Sequence, residues 1–251
     1  MTWRNLAYDL YWQMEKIIAP GLIFSQAAYE DVLKQNLKKE SLWLDLGCGH
    51  NILPFWRRQE ETALVKVPKL IVGLDADLPS LLEHRNIDYK VKGDIKKLPF
   101  KDGTFNVITA NMVFEHLKEP KAQLREICRV LKPGGQLIFH TPNAGGYATL
   151  LARLTPEFFK KKLIYFFQKR KAEDVFPAYY RINSSKKIKT LASQTGFTVK
   201  DISLIPSTAL FIMVPPLVWL ELFWIRLTMF DRFKLLRTNI IAHLMKRGHY
   251  V

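Results

Sequence analysis

Three carboxylates in this chain each close an apolar run, and glycines stand beside them at short intervals. Leu44-Asp45-Leu46-Gly47-Cys48-Gly49-His50-Asn51 carries an acid and then two glycines. Leu70-Ile71-Val72-Gly73-Leu74-Asp75 ends in a second acid, and Val91-Lys92-Gly93-Asp94 ends in a third. Glycine lets a backbone take positive φ and approach a ligand where a side chain would block it. Acids at strand ends in an open α/β sheet face the crevice in which amines and ribose hydroxyls are held. One Gly-x-Gly says little, whereas three such strand ends in order point to a nucleoside-type ligand.

Positioning those acids requires strands that share one sheet. The apolar runs predict strands over 41–46, 69–75, 89–94, 105–110, 136–141, 197–205 and 238–245. Between them, helical spacing or capping predicts helices over 51–60, 78–84, 120–131 and 185–195, preceded by helices over 4–18 and 25–38. Pro79 and Pro120 suit first helical turns. Strands alternating with helices imply an α/β fold, a largely parallel sheet covered on both faces.

These residues resemble the class I S-adenosylmethionine-dependent methyltransferases, in particular the branch of ubiquinone and menaquinone biosynthesis. The matching pieces, in order, are Leu44–Gly49; Gly73-Leu74-Asp75; Gly93-Asp94-Ile95 with Leu98-Pro99-Phe100; Phe105–Ile108 through Phe114–Leu117; and Arg129–Gly135. The resemblance covers about residues 40–145. It implies a Rossmann-like, three-layer αβα fold with a seven-stranded sheet whose last strand is antiparallel. It also implies S-adenosyl-L-methionine as cofactor. By that resemblance Asp45, Gly47, Cys48 and Gly49 shape the pocket for the methionine part. Asp75, with Ala76 beside it, accepts the ribose hydroxyls, and Asp94 and the Ile95 backbone meet the adenine. Asn111 and Met112 flank the sulfonium. Asn51 stands where the family often has a third small residue, and Asn tolerates positive φ better than most. On the acceptor side the expected residues are His116, Tyr179, Tyr180 and Arg181. A catalytic base is not identified: His116 and the two tyrosines are candidates, while His140 fits a packed strand position better.

Other readings of the same residues carry less. A nicotinamide dinucleotide fold wants a third glycine at position 52, where Ile stands. No spacing of His, Cys, Asp or Glu suggests a metal site, and Cys48 and Cys128 have no redox or ligand spacing, which fits a reduced cytoplasmic setting. Met1 to Pro20 mixes charges with aromatics, unlike a secretory leader. The net charge of +15 over 251 residues raises a nucleic-acid methyltransferase as an alternative. Against it, Asn111-Met112-Val113-Phe114 replaces the Asn/Asp-Pro-Pro-Tyr motif of amino-methylating nucleic-acid enzymes. A catalytically inactive binding module is a third reading, which the intact acids oppose.

The whole chain, 1–251, reads as one methyltransferase domain with three additions. Residues 1–40 form a helical cover, 142–184 a basic substrate-side insert, and 206–233 an apolar insert between the last two strands. Between Arg153 and Lys189 there are eleven basic residues against three acids. The apolar insert, Leu210–Leu220 continuing through Leu222–Leu227, is interrupted by Pro215-Pro216 and Glu221. That interruption argues against a straight membrane span. It leaves a lid over an apolar pocket or a segment dipping into one leaflet of an anionic membrane. Either implies a small, hydrophobic or membrane-resident acceptor.

Overall fold

The computed structural model describes residues 3–155 and 176–248. The basic clusters at 160–162 and 169–171 lie outside the described residues. The chain forms two compact units: one of residues 26–141, 178–203 and 240–248, the other of 3–25, 142–155, 176–177 and 204–239.

The first unit is built on a seven-stranded sheet of order β3-β2-β1-β4-β5-β7-β6. Its strands are β1 (Leu42–Leu46), β2 (Leu70–Asp75), β3 (Tyr89–Lys92), β4 (Phe105–Asn111), β5 (Leu131–Pro142), β6 (Phe197–Ile205) and β7 (Asn239–Lys246). The first five run parallel. At the far edge the Arg247 amide donates to Gly196 O and the Thr198 hydroxyl to Met245 O, so β7 runs antiparallel to β6. This is the expected α/β methyltransferase sheet.

Strand β1 is buried along nearly its whole length, with Trp43, Leu44 and Leu46 fully enclosed. Helices α2 (Ser25–Asn36), α3 (Arg58–Leu64), α4 (Leu78–Glu83), α5 (Pro120–Val130) and α7 (Ser185–Gln194) accompany the sheet. Helix α5 starts on Pro120 and buries Leu124, Ile127 and Val130, the apolar stripe that the sequence presents.

Two elements depart most from the sequence expectation. The helix expected over 51–60 begins as a 3-10 turn at Phe55–Arg57 and becomes α3 only at Arg58. Pro54 explains the delay, because a proline drives the residue before it out of helical conformation. Strand β5 starts at Leu131 rather than 136: Leu131 pairs with Phe105, and the register shifts before Gln136 meets Val107. Lys132-Pro133-Gly134-Gly135 forms the excursion. Gly134 has φ +73°, and a Cβ on Gly135 would lie 2.8 Å from Lys132 O.

The second unit consists of α1 (Trp3–Ile18), α6 (Tyr147–Leu154), α8 (Pro215–Met229) and a 3-10 segment, Asp231–Leu236. Its core joins Tyr11, Met14, Ala19 and Leu22 to Ala209, Val218, Leu222 and Ile225. Pro215-Pro216, which interrupts the apolar run, opens α8, where the missing N–H costs nothing. Glu221 Oε1 accepts the Tyr147 hydroxyl at 2.5 Å and the Leu210 amide at 2.6 Å, while Oε2 accepts Phe211 N at 2.8 Å. The Arg237 guanidinium donates to Thr228 O and Met229 O, closing the carbonyl end of α8. Among the described residues no helix is long and apolar enough to cross a membrane.

Candidate active site

The glycine turn after β1 is held by its neighbour strand. Gly47 has φ +64° and its amide donates to Leu74 O at 2.7 Å. Gly49 has φ +50° and donates to Asp75 Oδ2 at 2.8 Å. The Asp77 amide binds the other oxygen, Oδ1, also at 2.8 Å. Each Asp75 oxygen keeps a further lone pair. The two glycines differ in their surroundings. A Cβ on Gly47 would lie 2.4 Å from Val113 Cγ2, whereas one on Gly49 would meet nothing within 4 Å.

Asp45 lies one layer deeper and is fully buried. Thr109, its register partner on β4, donates its hydroxyl to Asp45 Oδ1 and accepts Trp43 Nε1 at 2.6 Å. Burial pushes the Asp45 carboxyl up to about 7, and the Glu61 and Asp75 carboxylates push the same way, against the Thr109 bond. Cys48 turns its thiol inward against Gly73, where an added Cβ would lie 2.8 Å from Sγ, and burial raises that thiol. Only its backbone borders the turn.

Beyond β2 and β3, Ala76 and Asp94 are exposed and Ile95 is buried. Asp94 Oδ1 accepts the Lys96 amide at 2.9 Å. Asn51 is half-buried and does not take the positive φ its residue type allows; among the described residues only Met112 and Tyr180 do so without being glycine.

At the end of β4, Asn111 is committed to its neighbours. Its Nδ2 donates to Gln26 Oε1 at 3.0 Å and to Ile52 O at 3.1 Å, and its Oδ1 faces His140 Nδ1 at 2.8 Å. With both amide hydrogens in use, the proton of that last bond sits on His140 Nδ1. His140 is completely buried, stacks on Tyr29 at 5.6 Å, and burial lowers it to about 3. It is a neutral strut, as a packed strand position requires. Met112, at φ +57°, donates its amide to His140 O at 2.8 Å and leaves its side chain partly in solvent.

Three of the four residues expected on the acceptor side, His116, Tyr179 and Tyr180, meet Glu115, which the sequence reading passed over. Its backbone carbonyl accepts the amides of Tyr179 at 2.7 Å and Tyr180 at 3.1 Å. Its buried carboxylate accepts Thr141 Oγ1 at 3.1 Å and lies 3.9 Å from His116 Nε2. Burial raises this carboxyl, opposed first by the His116 charge. Thr141 in turn accepts Asn183 Nδ2 at 2.6 Å. Arg181 donates to Lys118 O at 2.6 Å and lies over the Tyr179 ring at 5.4 Å. Gln26, Thr109 and Thr141, the other partners missed, carry no motif; strand register alone reveals Thr109.

The rim suits a nucleoside carrying a positive sulfur and an amino acid end. Gly49 faces open space with its backbone bare, Asp75 has acceptor capacity left for hydroxyls, and the Asp94 side chain is exposed at the next strand end. Nothing in the donor set demands a metal, and no group of His, Cys, Asp and Glu among the described residues is arranged to hold one.

Comparison with known proteins agrees with this geometry. Residues 44–139 match the family model described as a methyltransferase domain. The ubiquinone biosynthesis O-methyltransferase of Xanthomonas oryzae is 31% identical over 123 residues, 48% of this chain and 51% of that protein. The demethylmenaquinone methyltransferase of Corynebacterium kroppenstedtii is 40% identical over 92 residues, 35% of this chain and 40% of that one. The chain thus spans about half the length of the curated relatives it matches. An S-adenosylmethionine-dependent methyltransferase from Mesorhizobium loti superposes with a TM-score of 0.55 at 15% identity, covering 88% of this chain and 98% of that one. A Methanosarcina mazei structure of the same description gives 0.57 at 14%, covering 87% and 98%; at such identities the likeness is one of fold. Residues 44–139 thus form a methyltransferase domain, similar to those of ubiquinone and menaquinone biosynthesis methyltransferases.

Proposed function

We propose that this chain methylates a small, hydrophobic or membrane-resident acceptor from S-adenosylmethionine. The observation that carries the reading is the Gly49–Asp75 contact, with Asp94 one strand further along. The cofactor supplies a methyl group already activated on a sulfonium. The work left to the protein is alignment of the attacking atom, which supplies most of the rate. Asp45 and the glycine turn hold the methionine part, Asp75 and Ala76 the ribose, and Asp94 and Ile95 the adenine. Asn111 and Met112 border the reacting methyl.

A phenol or enol acceptor must also lose a proton. His116, one-third exposed and next to the Glu115 carboxylate, takes that role. With S-adenosylmethionine held by Asp45, Asp75 and Asp94, the cofactor would supply the methyl group, and the His116 imidazole would take the proton that the acceptor oxygen gives up. Tyr179 and Tyr180 line the acceptor side through their shared anchor on Glu115, with Arg181 beside them over the Tyr179 ring. The names of the relatives support a quinone-precursor type of acceptor.

Residues 206–233 bring the protein to an anionic membrane surface on the cytoplasmic side, where such an acceptor resides. The exposed apolar side chains of α8 and the basic residues that follow it support this. The test is radiolabelled methyl transfer with a lipid extract, soluble metabolites and total RNA offered in parallel. Label in the lipid fraction is the expected result. Label in RNA, with steep salt dependence, would replace this reading by a nucleic-acid methyltransferase.

A further inference from the structure

Apolar surface is exposed on two helices of the second unit that lie about 200 positions apart in sequence. Helix α8 is apolar around nearly its whole circumference. It buries Val218, Leu222 and Ile225, yet Leu217, Trp219, Leu220, Phe223, Trp224 and Leu227 on its other side are exposed, Leu220 by 69%. Arg226 is the only charge on that side, half-buried at its margin. Helices apolar all round belong in a core or in lipid. On this face α8 has no core.

Helix α1 carries a matching line. Trp3, Leu10 and Ile17 recur at seven-residue spacing, joined by Leu6, and all four are exposed, Ile17 by 79%. They run beside the line Ala7, Tyr11 and Met14, which is buried; Tyr11 and Met14 pack on α8. Because the outer half of α8 is apolar throughout, this exposed line borders apolar α8 surface on whichever flank of the helix pair it lies. A cavity of about 320 Å3 among Leu217, Leu220 and Trp224 adds room for hydrocarbon. Its polar residues, Tyr147 and Glu221, bond each other.

The charges around this surface choose its partner. Among the described residues of the unit the acids are Asp9, Glu15, Glu221 and Asp231. Glu15 and Glu221 are buried, and Asp231 pairs with Arg237. The bases are Arg4, Lys16, Arg153, Arg226, Arg232, Lys234 and Arg237. A greasy face in a basic surround complements anionic headgroups over acyl chains, and tryptophans suit that boundary.

We infer that α1 and α8 form one composite bilayer-docking face, so that membrane binding needs the N-terminal helix as much as the apolar insert. This rests on the membrane reading above. The test is co-sedimentation of the full chain with phosphatidylcholine vesicles, with and without phosphatidylglycerol. Leu6→Gln/Leu10→Gln on α1 and Leu220→Gln/Phe223→Gln on α8 are neutral changes at exposed positions. Each pair should lower partitioning into phosphatidylglycerol vesicles by about tenfold, with cofactor affinity unchanged by calorimetry. If the α8 pair abolishes binding and the α1 pair leaves it intact, α8 docks alone: the composite face is overturned and the membrane reading stands. If the native chain ignores both vesicle types, the membrane reading itself falls. A dimer that the α1 pair converts to monomer, with vesicle binding unchanged, would assign the α1 face to a second copy and overturn the inference.

Discussion

Gly49 and Asp75 are joined by a 2.8 Å hydrogen bond from the glycine amide to Oδ2, which ties the turn after β1 to the end of β2. One carboxylate thus shapes the glycine turn while each of its oxygens keeps acceptor capacity.

Replacing Asp75 by Asn sets an NH2 group against one of two amides, Gly49 N or Asp77 N. The loss of a charge-assisted acceptor costs about 1–3 kcal/mol. Cofactor affinity should fall by at least about tenfold in titration calorimetry, with only a small change in melting temperature because the site is half-exposed. Unchanged affinity would remove Asp75 from the ribose site.

The two turn glycines should separate stability from binding. Gly47→Ala meets Val113 at 2.4 Å and must hold φ +64°, so it should destabilise the fold by about 1–3 kcal/mol in urea. Gly49→Ala has open space and a lone φ penalty. It should fold with a loss near ~1 kcal/mol and lose most of its cofactor affinity, because its methyl enters the cradle.

Asp45 should give the proposed cofactor site a pH dependence. Its carboxyl, pushed up to about 7 by burial, is largely protonated in the free protein below that value. A ligand with an ammonium and a sulfonium favours the charged carboxylate, so binding below about pH 7 must expel a proton. Affinity should rise as pH increases through about 7 and then level off. Calorimetry in buffers of different ionisation enthalpy would detect proton release on the acid side; no release would place the cofactor charge elsewhere.

His140 makes stability itself pH-dependent. Burial lowers it to about 3, so the unfolded chain takes up a proton near pH 6.5 that the fold refuses. Its contribution is complete above pH 6.5 and is lost as pH falls towards 3, by about 1.4 kcal/mol per unit. Buried His84, lowered to about 4, adds to the slope. His140→Gln should flatten the acid limb of a stability–pH curve measured by denaturant titration.

Thr141→Val removes the hydroxyl between Glu115 and Asn183. Leaving a buried carboxyl without that donor should cost about 1–3 kcal/mol. It should also raise the KM for the acceptor more than that for the cofactor, since Glu115 anchors Tyr179 and Tyr180.

The acids at 45, 75 and 94 were legible because each ends a local apolar run, and the order of such runs fixes a parallel sheet. Helix α5 was legible from Pro120 and its spaced apolar residues. Pro54 was visible too, but its consequence for α3 depends on the conformation of the residue before it. Thr109 is silent in the sequence because its meeting with Asp45 depends on the pairing of β1 with β4. Glu115 is silent for a related reason: its partners at 141 and 179–180 arrive through tertiary contact. Asn111 was legible by its place at the end of β4, whereas the bonds of its amide to Gln26, Ile52 and His140 come from tertiary contact.

The second unit is drawn from the start of the described chain and from stretches beyond residue 142, and Tyr11 receives the Ala209 amide across 198 positions. During synthesis α1 leaves the ribosome well before α8 exists, so Tyr11 and Met14 wait in water for their partners. Such late closure slows folding and leaves an aggregation-prone species in the interval. Nascent chains of this protein are accordingly expected to depend on a chaperone until the last third has been made.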